Sequence, residues 1–170
     1  MGYEIAGAWG ARLARAEGEV ICFVGDGSYL MLNSDLLSSV ISGHKLIVVL
    51  CDNGGYAVID RLQVGQGNVP FNNMFEDVGP NHVDVDWVAH ARSLGCLAEN
   101  VATVAELEEA FDRARAADRT TVIAIRTAPH AWTKGGAFWE VGVPEGSAQP
   151  EVRAARDRQR EGKSRQRVGW

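Results

Sequence analysis

The chain has 170 residues, 46% of them hydrophobic, and a formal charge of −5. That length fits one domain with residues to spare for a tail, and a domain of this size buries enough surface to fold without disulfides. The acidic balance lacks the footprint of a nucleic-acid binder, and no apolar run approaches the ~20 residues of a membrane span.

The opening Met1-Gly2-Tyr3-Glu4 has neither the basic region nor the apolar core of a signal peptide, so a cytoplasmic location is expected. Ile5, Ala8, Trp9 and Leu13 recur at helical spacing within residues 2–16, on a helix whose small residues suit close packing against a sheet. An apolar run predicts a strand over 20–24. Asn33 and Ser34 offer N-caps for a helix to about residue 42, which Gly43 ends. A second strand is expected over 46–51. Residues 54–82 are rich in glycine and asparagine and read as irregular, apart from a short helix around Val58–Gln63. Connections this long are often functional. A helix over about 85–93 follows, then a short strand at 96–98. Thr103-Val104-Ala105-Glu106 is a capping box opening a helix to about 117. A strand over 121–126 completes the pattern.

Helices alternating with continuous β-branched runs predict an α/β fold, a doubly wound open parallel sheet with helices on both faces. Composition shifts after Pro129. Residues 1–128 are therefore read as one domain, and 129–170 as an aromatic, glycine-rich extension with a charged C-terminal tail.

Ligands of such sheets bind beyond the carboxyl ends of the strands. Two patterns lie there: Gly25-Asp26-Gly27-Ser28 after the first strand and Asp52-Asn53-Gly54-Gly55 after the second. Asp26 offers a carboxylate oxygen and Asn53 a neutral amide oxygen, the hard donors that Mg²⁺ takes beside substrate phosphates. Gly27, Gly54 and Gly55 allow close backbone approach and positive φ. The N–H groups of Gly27 and Ser28 suit an anion, and the Ser28 hydroxyl can donate to a phosphate oxygen. Either pattern alone is an ordinary strand-to-helix turn. Together, with Asn53 27 positions after Asp26, they point to a metal–diphosphate site. The chain has no GxxxxGK[ST] and no GxGxxG after a strand, which disfavours a nucleotide site.

These residues match the Gly-Asp-Gly…Asn motif, and the chain resembles the pyrophosphate-binding domain of thiamine-diphosphate enzymes such as acetolactate synthase. The resemblance covers about residues 1–128. It implies that Asp26, Asn53 and the Gly55 carbonyl hold Mg²⁺, and that Gly25, Gly27, Ser28, Gly54 and Gly55 contact thiamine diphosphate. Met1–Ala8 resembles the family segment whose first residue, usually Met or Leu, supports the bent cofactor, which implies that role for Met1. Gly43–Gln63, Phe71–Phe75, Trp132–Pro144 and the basic tail are most similar to the trihydroxycyclohexanedione hydrolases of myo-inositol catabolism. The implied reaction is attack of the thiazolium C2 carbanion on a small carbonyl substrate, followed by C–C cleavage. An acetolactate-synthase-like carboligase or decarboxylase is the alternative. Family members also carry a pyrimidine-binding domain whose glutamate activates the cofactor. Nothing in these 170 residues matches it, and Glu4 does not. The expectations are a homo-oligomer or a separate pyrimidine-domain subunit, and no turnover by this chain alone. A non-catalytic cofactor-binding or interaction module is the further alternative.

Cys22, Cys51 and Cys96 form no CxxC pair and read as free thiols of a reducing compartment rather than nucleophiles. His44, His82, His90 and His130 lack zinc spacing. Of these, His82 beside Asn81 is a candidate substrate contact, and His90 reads as structural. Tyr56 faces either the site or the packing, and Glu76 and Asp77 read as solvated. Trp132, Lys134, Phe138 and Trp139 suggest an interface. The arginine-rich tail reads as a solvated helix without affinity for nucleic acid.

Overall fold

A computed structural model describes residues 1–81, 83–133 and 141–167. His82, Lys134, Phe138 and Trp139 lie outside the described residues. The chain forms two compact units, Met1–Tyr56 with Pro80–Pro129, and Ala57–Gly79 with His130–Trp170.

The first unit opens with α1 (Glu4–Ala14), β1 (Ile21–Gly25), α2 (Asp26–Met31), α3 (Asp35–Ile41) and β2 (Ile47–Asp52). After the second unit's α4 (Ala57–Gly65) it continues with α5 (Trp87–Ser93), β3 (Leu97–Val101), α6 (Val104–Ala116) and β4 (Thr121–Arg126). The strands pair in parallel in the order β1-β2-β4-β3. Passing from β1 to β2 and from β3 to β4 runs in opposite directions across this sheet. Right-handed crossovers then put the connecting helices on opposite faces. Ile5, Leu36, Trp87 and Ala91, from α1, α3 and α5, pack with Cys22, Val24, Val48 and Leu50 on one face. Ala110 and Ala114 of α6 pack with Ile47, Val101 and Ile123 on the other.

Cover on both faces does not extend to β1. Its alternate residues Cys22 and Val24 are buried, but Ile21 and Phe23 are 43% and 66% exposed. The apolar run reads as a strand buried on both sides. It stands instead at an edge of the sheet, and α6 packs over β2, β4 and β3.

Two local expectations also change. α2 begins directly at Asp26, where Asp-Gly-Ser reads as a turn. Ser34 holds the N-cap position of α3, but with helical φ −60° and ψ −26° its side chain caps nothing, and Asn33 donates instead to the Tyr29 carbonyl. By contrast, both halves of the Thr103–Glu106 capping box form. Buried Tyr29 meets His90 Nδ1 through its hydroxyl at 2.9 Å, which gives His90 a packing role.

In the second unit, α4 runs longer than the expected Val58–Gln63 helix, and a 3-10 turn forms at Phe75–Asp77 with Glu76 and Asp77 exposed. The tail folds as α7 (Pro150–Ser164), begun by a proline in its first turn. It is not solvated all round. Val152 and Ala155 are buried against Val143, and Gln159 donates to the Val141 carbonyl at 2.6 Å. No helix among the described residues is long and apolar enough to cross a membrane.

Candidate functional site

Gly25 of β1 lies in register with Cys51 of β2, so the two strands deliver their following residues to the same end of the sheet. Asp26 is fully buried there. Its Oδ1 accepts from the Gly27 amide at 2.9 Å, and its Oδ2 from the amides of Gly54 at 2.7 Å and Gly55 at 2.9 Å. The carboxylate thus ties the start of α2 to the loop after β2. The loop can turn its amides inward because Gly54 and Gly55 take φ of 81° and 142°, which side chains disfavour.

Burial pushes the Asp26 carboxyl up to about 6; the Gly27 and Gly54 amides pull it down, and the neighbouring Asp52 carboxyl raises it. A nearby cation would favour the ionised form. Asp52 had no role of its own in the sequence pattern. Its position beside Asp26 depends on the register of β1 with β2.

The Asn53 side-chain amide sets one of its two terminal atoms 2.9 Å from the Gly55 carbonyl and 3.0 Å from Asp26 Oδ1, and that atom is oxygen or nitrogen according to which way the amide is turned. With nitrogen inward, both contacts are hydrogen bonds. Oxygen acceptors this close repel one another. With oxygen inward, the spacing matches neighbouring ligands of an octahedral ion with metal–oxygen bonds of about 2.0–2.1 Å, whose oxygens stand about 2.8–3.0 Å apart. One carboxylate, one amide and one backbone carbonyl therefore fit a small hard cation in one orientation of Asn53, and close on themselves in the other. Among the described residues no three His, Cys, Asp or Glu side chains gather as a metal site, and this donor set is of a different kind.

The remaining sequence candidates occupy distinct places. Gly25 ends β1, and Ser28 is half-buried in the first turn of α2. Gly27 lies within α2, without positive φ. A Cβ on it would meet the Tyr56 ring at 2.7 Å and the Gly55 carbonyl at 2.9 Å. Tyr56 therefore packs against Gly27, at the edge of the site. Met1 is 58% exposed, ahead of α1. Burial raises the Cys22 and Cys96 thiols to about 11 and also raises Cys51, which removes nucleophilic character at neutral pH.

A family model described as the thiamine pyrophosphate enzyme C-terminal TPP-binding domain matches residues 1–125. The chain is 38% identical over 163 residues to a 3D-(3,5/4)-trihydroxycyclohexane-1,2-dione hydrolase of Geobacillus thermodenitrificans, covering 91% of this chain and 26% of that protein. It is 36% identical over 156 residues to the Bacillus licheniformis protein of that name, covering 91% and 24%. A thiamine diphosphate-dependent 4-hydroxybenzoylformate decarboxylase of Rhodococcus jostii RHA1 superposes with a TM-score of 0.63 at 28% identity, covering 75% of this chain and 23% of that one. The chain spans about a quarter of the length of the curated relatives it matches.

Proposed function

This chain belongs to the thiamine pyrophosphate enzymes through their C-terminal TPP-binding domain, and on that premise we propose that it holds the cofactor's diphosphate through one Mg²⁺. Three oxygens carry the reading: Asp26 Oδ1, the Gly55 carbonyl and, with its amide turned oxygen-inward, Asn53, whose distances to the other two are then 3.0 and 2.9 Å. Asp26 supplies the charge, held in place by the amides of Gly27, Gly54 and Gly55. Asn53 and Gly55 complete a neutral remainder, which leaves the ion's positive charge for phosphate oxygens. Gly25, Gly27, Ser28 and Gly54 line the diphosphate, and Met1 supports the rest of the cofactor. The bound cofactor supplies a nucleophilic carbon for C–C cleavage beside a carbonyl; the protein supplies position and electrostatics.

The substrate we propose is a cyclic hydroxylated dione, opened hydrolytically as in inositol catabolism, since the relatives matched over 91% of the chain bear that hydrolase name. The likeness to a decarboxylase at 28% identity supports a second reading, cleavage of a 2-oxo acid at the same metal site. Turnover is proposed to need a pyrimidine-binding domain, from the same polypeptide or a separate subunit, within an oligomer. These 170 residues alone bind without turning over. A cytoplasmic location agrees with three free cysteines.

Calorimetry with thiamine diphosphate, with and without Mg²⁺, tests the metal site. Binding is expected only with Mg²⁺, and Asp26→Ala abolishes it. Because Asp26 also ties two loops together, Asn53→Ala serves as the milder variant, with binding expected to weaken at least about tenfold while the circular dichroism holds. Unchanged affinity in Asn53→Ala would remove the metal assignment.

A further inference from the structure

The second compact unit holds a cavity of about 460 Å³ that the cofactor reading does not use. Asp60, Arg61, Val64 and Gly65 line it from α4, and His130 and Trp132 complete the wall. Spacings of four residues put Asp60 with Val64, and Arg61 with Gly65, on one side of the helix. Asp60 is 5% exposed, yet its Oδ1 has no hydrogen-bond partner among the described residues. Burying an acceptor without a donor costs stability. A ligand that brings the donor would offset that cost.

The neighbouring groups narrow its chemistry. The Arg61 guanidinium lies 4.8 Å from the centre of the Trp132 ring, and His130 meets that ring edge-on at 6.2 Å. A cationic ligand drawn to Asp60 would face the Arg61 charge on the same wall, and an anion drawn to Arg61 would face Asp60. A neutral molecule with several hydroxyls donates to Asp60 and brings no charge beside either group. Val64 and Trp132 offer apolar surface to its C–H groups. A Cβ added at Gly65 would find no atom within 4 Å, so this wall leaves open space. The volume lies within the range of small-molecule sites.

We propose that this cavity binds a small neutral polyhydroxylated molecule, whose hydroxyl donates to Asp60. The inference goes beyond the cofactor reading and does not depend on it.

The test uses myo-inositol as probe, added to the 170-residue chain without Mg²⁺ or thiamine diphosphate, so failure of the metal assignment leaves the result intact. Saturation-transfer NMR should detect binding to the wild-type chain. Asp60→Leu should raise the melting temperature, since it removes a buried oxygen that has no donor, and weaken binding at least about tenfold. Gly65→Leu, which fills the cavity, should weaken binding likewise with the fold retained, and it decides the matter if Asp60→Leu does not fold. Absence of transfer to the wild-type chain, unchanged affinity in Gly65→Leu, or a preference for ethylammonium over myo-inositol would overturn the proposal.

Discussion

Gly25 and Gly27 flank Asp26 symmetrically in the motif, but they face different surroundings. A Cβ at Gly25 would have Asn53 Nδ2 as its neighbour at 3.6 Å, an ordinary contact, whereas one at Gly27 would press into Tyr56 and the Gly55 carbonyl at 2.7 and 2.9 Å. Gly27→Ala should therefore cost about 1–3 kcal/mol in urea unfolding, as overpacking does, and weaken Mg²⁺-dependent cofactor binding by displacing Gly55. Gly25→Ala, at φ −78° and ψ 155°, should leave stability unchanged or raised by about 0.4–1 kcal/mol. Equal losses in the two variants would sink this distinction. The sequence makes Asp26, Asn53 and both glycines legible as a set, because the two patterns stand together at the ends of successive strands. It cannot separate a glycine that faces an anion from one that makes room for Tyr56. That depends on which atoms the second loop brings against the first.

Elements differ in how far local chemistry specifies them. The α6 start is written locally: Thr103 Oγ1 accepts from the Glu106 amide at 3.2 Å, and the Glu106 carboxylate accepts from the amides of Thr103 at 3.2 Å and Ala102 at 2.7 Å. Thr103→Ala should cost about 1 kcal/mol by chemical denaturation. Ser34→Ala should cost almost nothing, although Ser34 looks equally suited to capping. The difference is backbone geometry. Thr103 is extended (φ −128°, ψ 162°), which aims its oxygen at the helix amides, whereas Ser34 is already helical. A loss near 1 kcal/mol in Ser34→Ala would contradict this account. β4 lies at the expected residues 121–126, since its β-branched run is bounded closely on both sides. α2 escapes notice because six residues show no helical period, and a turn explains Asp-Gly-Ser as well.

At the scale of the whole molecule, exposed apolar side chains matter more than any one motif. Ile21 and Phe23 point from the bare face of β1, while Leu37 and Ile41, one turn apart on α3, are 44% and 76% exposed. Sizeable apolar patches mark interaction surfaces. The proposed oligomer leads us to expect self-association of the 170-residue chain in sedimentation equilibrium, shifted toward monomer by Phe23→Lys or Ile41→Lys. A wild-type monomer at about 100 µM would refute it. Residue order alone settles the family, the bounds of β4 and the α6 cap, because a spaced motif, a bounded apolar run and a capping box are each written in the order of residues. Three-dimensional contact settles the amides that hold the Asp26 carboxylate, the clash awaiting any side chain at Gly27, and the unpartnered Oδ1 of Asp60. Each of these depends on burial or on the meeting of segments far apart in the chain, and the parallel register of β1 with β2 fixes the meeting that matters most.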